Sequence, residues 1–124
     1  MEFSSVEEFD KDLKKLSGRY PSLGADLINL KKFLTVYPTG YIPRVIPLSY
    51  RELSLRDGVS GFKVKHFRCK SLQGKGCLSG IRVIYALEIE IPKVTFIEMY
   101  YKERETTDCD LGRIQYYFGK KDNK

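Results

Sequence analysis

Tryptophan is absent from the 124 residues, and histidine occurs once. His66 is therefore the only imidazole available as a general base. Its strand parity sets it apart from the neighbouring lysines, which favours a structural role. Cysteine occurs three times, as Cys69, Cys77 and Cys109. An odd number at wide spacings argues against a disulfide framework, and no C-x-x-C is present. His66 and the three cysteines make a formal Cys3His set. Structural zinc sites use short paired spacings, and only His66 with Cys69 approaches one, so reduced thiols and no metal are expected. No uncharged apolar run approaches the roughly 20 residues of a membrane span. The N-terminal "MEFSSVEEFDKDLKKL" is acidic and lacks the apolar segment of a signal peptide. A cytoplasmic protein without a membrane partner is expected.

The length suits one domain with one core, since a chain of this size buries roughly two-thirds of its unfolded surface. The hydrophobic fraction of 42% is ordinary for a globular protein. The net charge of +6 is unevenly spread. Residues 1–37 and 105–124 each sum to zero, while residues 61–104 hold nine basic and four acidic residues. A localised basic excess fits a nucleic-acid or acidic-partner surface, or equally a solvated basic face.

Ser5-Val6-Glu7-Glu8 has the form of a capping box. Val6, Phe9, Leu13 and Leu16 follow at helical spacing until Gly18. A second helix begins at Pro21-Ser22, with Leu23, Leu27, Leu30 and Leu34 as its stripe beside Ile28 and Phe33. Pro38 and Gly40 stop it. The short connection predicts an antiparallel helical hairpin. Residues 38–60 read as irregular, broken by Pro38, Pro43 and Pro47. From Gly61 the period becomes twofold. Strands are predicted from residue 61, over 81–91 and over 94–101, forming an antiparallel meander. Thr107-Asp108-Cys109-Asp110 resembles a weak cap before a short C-terminal helix with Leu111, Ile114 and Phe118 on its stripe. Residues 119–124 read as a disordered basic tail. The fold class is α+β: an N-terminal helical hairpin packed on one face of a small antiparallel sheet, with a short C-terminal helix.

Alternation along the strands then sorts the side chains. Phe62 and Val64, with Ile81, Val83, Tyr85 and Leu87, face the helices. Lys63, Lys65 and Arg82 project from the other face, which is expected to be open. Arg82 offers a planar fork to a phosphate, and the lysines add point charges. Gly74-Lys75-Gly76 can bring amides and an ammonium to an anion, although such loops are common in hairpins. Nine tyrosines are present. One on the open face would stack an unstacked base.

These residues, in this order, bear a resemblance. "EFDKDLKKLSGRYPSLGADLINL", "FKVKHFRCKSLQGKGCLSGIRVIY" and "FIEMYYKERE" resemble the RelE/ParE superfamily of toxins from toxin–antitoxin pairs, over roughly residues 6–105. The resemblance implies a single RelE-like toxin domain over residues 1–118 and a cognate antitoxin as partner. In the RelE branch it implies a ribosome-dependent mRNA endoribonuclease that needs no metal or cofactor. In the ParE branch it implies a non-enzymatic gyrase inhibitor. A catalytically inactive relative that serves as a protein-binding module is a further alternative. Lys63, Lys65 and Arg82 match the family's catalytic strand positions, and a clustered lysine with a lowered pKa is a candidate base. Lys75, Lys102 and Arg104 are the expected contacts to RNA phosphate. The sequence departs from the pattern where Glu103 stands for an arginine and Cys109 for a tyrosine. The strand that precedes the hairpin is missing or cut to the first three residues, and the stretch 38–60 is longer than the pattern.

Overall fold

The structure is a computed structural model that describes residues 1–72, 79–103 and 107–121. The elements are β1 (Glu2–Ser5), α1 (Glu7–Ser17), α2 (Leu23–Val36), β2 (Val45–Pro47), β3 (Val59–Val64), β4 (Ile81–Glu88), β5 (Lys93–Tyr101) and α3 (Leu111–Phe118). The five strands make one sheet in the order β1-β5-β4-β3-β2. β1 runs parallel to β5, and the other neighbours are antiparallel.

Four sequence expectations are corrected here. A strand does precede the hairpin: β1 spans Glu2–Ser5 and extends the sheet beyond β5. The sheet is therefore mixed, not antiparallel. The stretch 38–60 contributes β2, which pairs Val45 through Pro47 with β3. Pro47 lacks an amide and is tolerated because β2 is an edge strand. The capping box does not form, because Val6 occupies the N-cap and Ser5 Oγ instead donates to Asp10 Oδ1 at 2.6 Å.

α1 carries Glu7, Glu8 and Asp10 in its first turn and Lys14 and Lys15 in its last. Each end thereby complements the helix dipole. Phe9 is fully buried and stacks on Phe96 of β5 at 5.3 Å. In α2, Leu23, Leu27, Leu30 and Leu34 are buried as the stripe predicted. The helix stops where Tyr37 precedes Pro38, a pairing that disfavours helical backbone. Tyr85 ties this end to the sheet, its hydroxyl donating to the Pro38 carbonyl at 2.8 Å.

β4 is buried from Ile81 to Leu87 apart from Arg82. It lies centrally and meets apolar groups on both faces, so its sequence does not alternate. Phe62, Tyr85 and Phe96 share the face toward the helices. The opposite face, expected to be open, is largely covered. A methyl added at Gly61 would meet Leu48 at 3.0 Å and Ile114 at 3.1 Å, so α3 and the chain after β2 lie directly on the sheet. Ile84 and Ala86 are buried beneath them.

One irregularity matters for the site. Ile84 pairs with Glu98 while Tyr85 pairs with Phe96, so β5 bulges at Ile97. β1 reaches only Phe96. Past that point, Asp12 of α1 accepts from the Met99 amide at 3.1 Å, and Arg113 of α3 donates to the Ile97 carbonyl at 3.0 Å. Arg113 and Asp12 also pair at 2.6 Å, and Tyr117 donates to Glu8 at 2.5 Å. These bonds hold α3 against α1 across the sheet edge. Of the expected tail, Gly119 bridges Leu55 and the Lys120 amide donates to the Ser54 carbonyl at 2.8 Å, while 122–124 lie outside the described residues.

Candidate functional site

The covered face leaves one polar cluster where β3, β4 and β5 run side by side. Lys63, Ile84 and Glu98 form one cross-strand row. Arg82 and Tyr100 form the next row of the same parity. Diagonal neighbours on one sheet face are roughly 7–8 Å apart, within reach of a lysine and an arginine side chain.

Two loops complete the cluster. Tyr50 arrives from the chain after β2. Asp108 arrives from the segment before α3, which is fixed where the Asp110 amide donates to Glu98 Oε1 at 2.8 Å. Lys63 Nζ donates to Asp108 Oδ1 at 2.8 Å and to the Tyr50 hydroxyl at 3.3 Å. Tyr50 in turn donates to Asp108 Oδ2 at 2.8 Å, and the Cys109 amide donates to Oδ1 at 2.8 Å. Lys63 keeps only 12% of its side-chain exposure, whereas Asp108 keeps 48%.

Burial alone would lower the pKa of Lys63, but Asp108 and the two tyrosines outweigh it and hold it above its ordinary value. Lys63 is thus a fixed ammonium at neutral pH. This corrects the expectation of a lysine with a lowered pKa. For Asp108, burial acts upward, and the bonds from Lys63, Cys109 and Tyr50 outweigh it and keep the carboxylate well below its usual range. Burial pushes Tyr100 up to about 12, and burial followed by the Asp108 bond raises Tyr50, so both remain phenols. Burial, then the charge of Asp108, pushes the Cys109 thiol up to about 11, which leaves it protonated and unreactive. Burial raises Glu98 above the ordinary carboxylate value. The cluster can hold an anion at Lys63 if Asp108 yields its place, and it presents two phenolic donors beside it.

Of the other residues singled out from the sequence, Arg82 stands in the row beside Lys63 and the rest are dispersed. Arg82 is half-buried on β4, its Nη1 donating to the adjacent Ile81 carbonyl at 3.4 Å. Lys65 is exposed just past β3. The Lys65 and His66 amides both donate to the Arg44 carbonyl, at 2.8 and 3.1 Å, a bulge that ends strand parity before His66. Lys102 is half-buried, with its amide donating to the Gly80 carbonyl at 2.9 Å. Lys75, Arg104 and Cys77 lie outside the described residues. Among the described residues, no group of three or more His, Cys, Asp or Glu side chains is placed to hold a metal. No helix among them is long and apolar enough to cross a membrane.

Sequence reasoning missed Tyr50 and Asp108. Asp108 carried a faint signal as part of a cap-like T-D-C-D run. Tyr50 carried none, because only the return of the chain after Pro47 brings it over Lys63.

The fold is similar to that of a solved structure. RelE in the archaeal RelE–RelB complex from Pyrococcus horikoshii superposes with a TM-score of 0.53 at 15% identity, covering 83% of this chain and 96% of that one. The fold is RelE-like. No protein-family model matches the chain, and no curated protein matches it in sequence. Within this RelE-like fold, Lys63 and Arg82 lie on the face of the central strands away from the helical hairpin.

Proposed function

We propose that this chain is the toxin of a toxin–antitoxin pair, acting in the cytoplasm as a ribosome-dependent mRNA endoribonuclease. The observation that carries the reading is a fixed ammonium, Lys63, and a guanidinium, Arg82, on neighbouring strands of a RelE-like sheet. The reaction is attack of a ribose 2′-OH on the adjacent phosphate, which builds negative charge on the non-bridging oxygens. Lys63 and Arg82 meet that charge. Lys65, Lys75, Lys102 and Arg104 hold the flanking RNA phosphates. Tyr100 or Tyr50, kept as phenols, donate the proton that the leaving 5′ oxygen needs. Asp108 takes up the 2′ proton. It is a weak acceptor while bound to Lys63, and it becomes a stronger one once a phosphate displaces it. The chemistry uses no metal or cofactor, and a cognate antitoxin holds the chain inactive.

A second reading is a catalytically inactive relative that acts as a protein-binding module. The Lys63–Asp108 pair favours it, because the cation is already neutralised. Inducible expression in a bacterial host, with growth and new RNA 5′ ends followed together, separates the readings. Arrest with new ends inside translated codons, lost in Arg82→Ala, is expected. Arrest with lost supercoiling and no new ends would replace the nuclease with a gyrase inhibitor. Unimpaired growth would leave the binding module.

A further inference from the structure

Unlike the Lys63 cluster in composition, the end of α2 carries an apolar surface that stays exposed among the described residues. Phe33, Tyr37 and Tyr41 form a closed triad of rings with centroids 5.3–5.5 Å apart. The guanidinium of Arg44 lies 4.1 Å from the Phe33 ring centroid. Around this triad the apolar side chains face solvent: Tyr41 is 51% exposed, Val36 67% and Ile42 74%. Exposed apolar groups this concentrated, next to aromatic rings and an arginine, have the composition of an interface core.

Two arginines and one carboxylate lie beside the patch. Arg44 and Arg68 line a cavity of about 260 Å³ at its edge. Asp26 also lines it, but that side chain is buried and its Oδ2 already accepts from Ser22 Oγ at 2.6 Å and from the Lys70 amide at 3.2 Å. Arg44 Nε is buried and has no hydrogen-bond partner among the described residues. A planar guanidinium that stacks on a ring and lines a cavity is suited to a carboxylate.

We infer that the Tyr37–Tyr41–Arg44 surface docks a segment of a separate protein chain that presents aliphatic side chains and at least one carboxylate. The carboxylate sits between Arg44 and Arg68, and the aliphatic groups cover Tyr41, Ile42 and Val36. Single-stranded RNA fits less well. Exposed valine and isoleucine offer no stacking surface to a base, whereas aliphatic side chains of a protein pack on them directly. The inference holds whether or not Lys63 takes part in RNA cleavage.

The test is selection of a displayed library of random peptides on the purified full chain, followed by affinity measurements on the enriched peptides. Enrichment of peptides combining Leu, Ile or Val with Asp or Glu is expected. Their affinity should fall at least about tenfold with Arg44→Gln and with Tyr41→Ser, and stay unchanged with Lys63→Met. Ile42→Ser serves as a second, fully surface variant, and thermal unfolding confirms that each variant is folded. The inference is overturned by peptides without carboxylates, or by affinities that ignore these substitutions. It is equally overturned by the absence of enrichment, by a uridine oligonucleotide whose binding Tyr41→Ser abolishes, or by a self-association that the same substitution abolishes.

Discussion

Replacing Asp108 by Asn should weaken the fold and strengthen anion binding at the same time. At 2.8 Å the Lys63–Asp108 attraction is about 1.5 kcal/mol at the dielectric of water and about 6 kcal/mol at an effective value of 20. Asp108 keeps 48% of its side-chain exposure, so solvent screening places the pair toward the lower figure. Desolvation of Lys63 opposes the gain. A net loss of about 1–2 kcal/mol at pH 7 follows, measurable by urea unfolding. The pH dependence carries a definite sign. A carboxylate depressed in the folded state stabilises above its ordinary value of 3.8 and loses that contribution as pH falls toward its folded value. A lysine raised in the folded state stabilises below 10.5 and loses that contribution as pH rises through its folded value. The gap between the wild-type chain and Asp108→Asn should therefore be constant from about pH 5 to pH 10 and narrow outside that window. An RNA oligonucleotide should bind the variant more tightly, because Lys63 is left without a competing carboxylate, yet be cleaved more slowly. Equal stability at every pH, or weaker RNA binding by the variant, would refute the reasoning.

Three further outcomes test the scaffold. Leu30→Ala empties a fully buried position on α2 and should cost about 2–5 kcal/mol in urea unfolding, with no change in the denaturant slope. Gly40→Ala should cost about 2 kcal/mol or more, because Gly40 has φ +62° and a Cβ there would stand 2.3 Å from that of buried Val45. Tyr117→Phe removes the hydroxyl that lowers Glu8 and is itself raised to about 12 by that bond. Its thermal destabilisation should be greatest near neutrality, narrowing as pH falls below about 4.5 and again as it approaches 12.

The parts of the fold set by local period were legible in the sequence. Phe9, Leu27, Leu30 and Leu34 repeat at helical spacing because one helix face is buried, and Ile114 and Phe118 mark α3 for the same reason. Parity placed Lys63 and Arg82 on one face because alternation is fixed once a strand begins. What failed depended on distant partners. β1 is four residues long and is defined by its pairing with β5, which begins near residue 93. β2 is three residues long, holds a proline and exists only because β3 accepts it. The face expected to be open is closed by Leu48, Leu55 and Ile114, none of which announces its target. For the same reason strand parity suggests a clustered lysine with a lowered pKa, whereas Asp108, 45 residues away in sequence, holds Lys63 charged.

The most direct measurement uses the purified chain, ribosomes programmed with a short message, and mapping of the RNA ends produced. Cleavage of the message in the decoding site without added metal beyond what the ribosome requires, giving a 2′,3′-cyclic phosphate and a 5′-hydroxyl, is the predicted result. Arg82→Ala and Lys63→Met should each abolish it in chains that still unfold cooperatively, with Lys63→Met losing stability comparable to Asp108→Asn because it breaks the same ion pair. An intact message after incubation with the folded wild-type chain, or cleavage that survives both substitutions, would contradict the account.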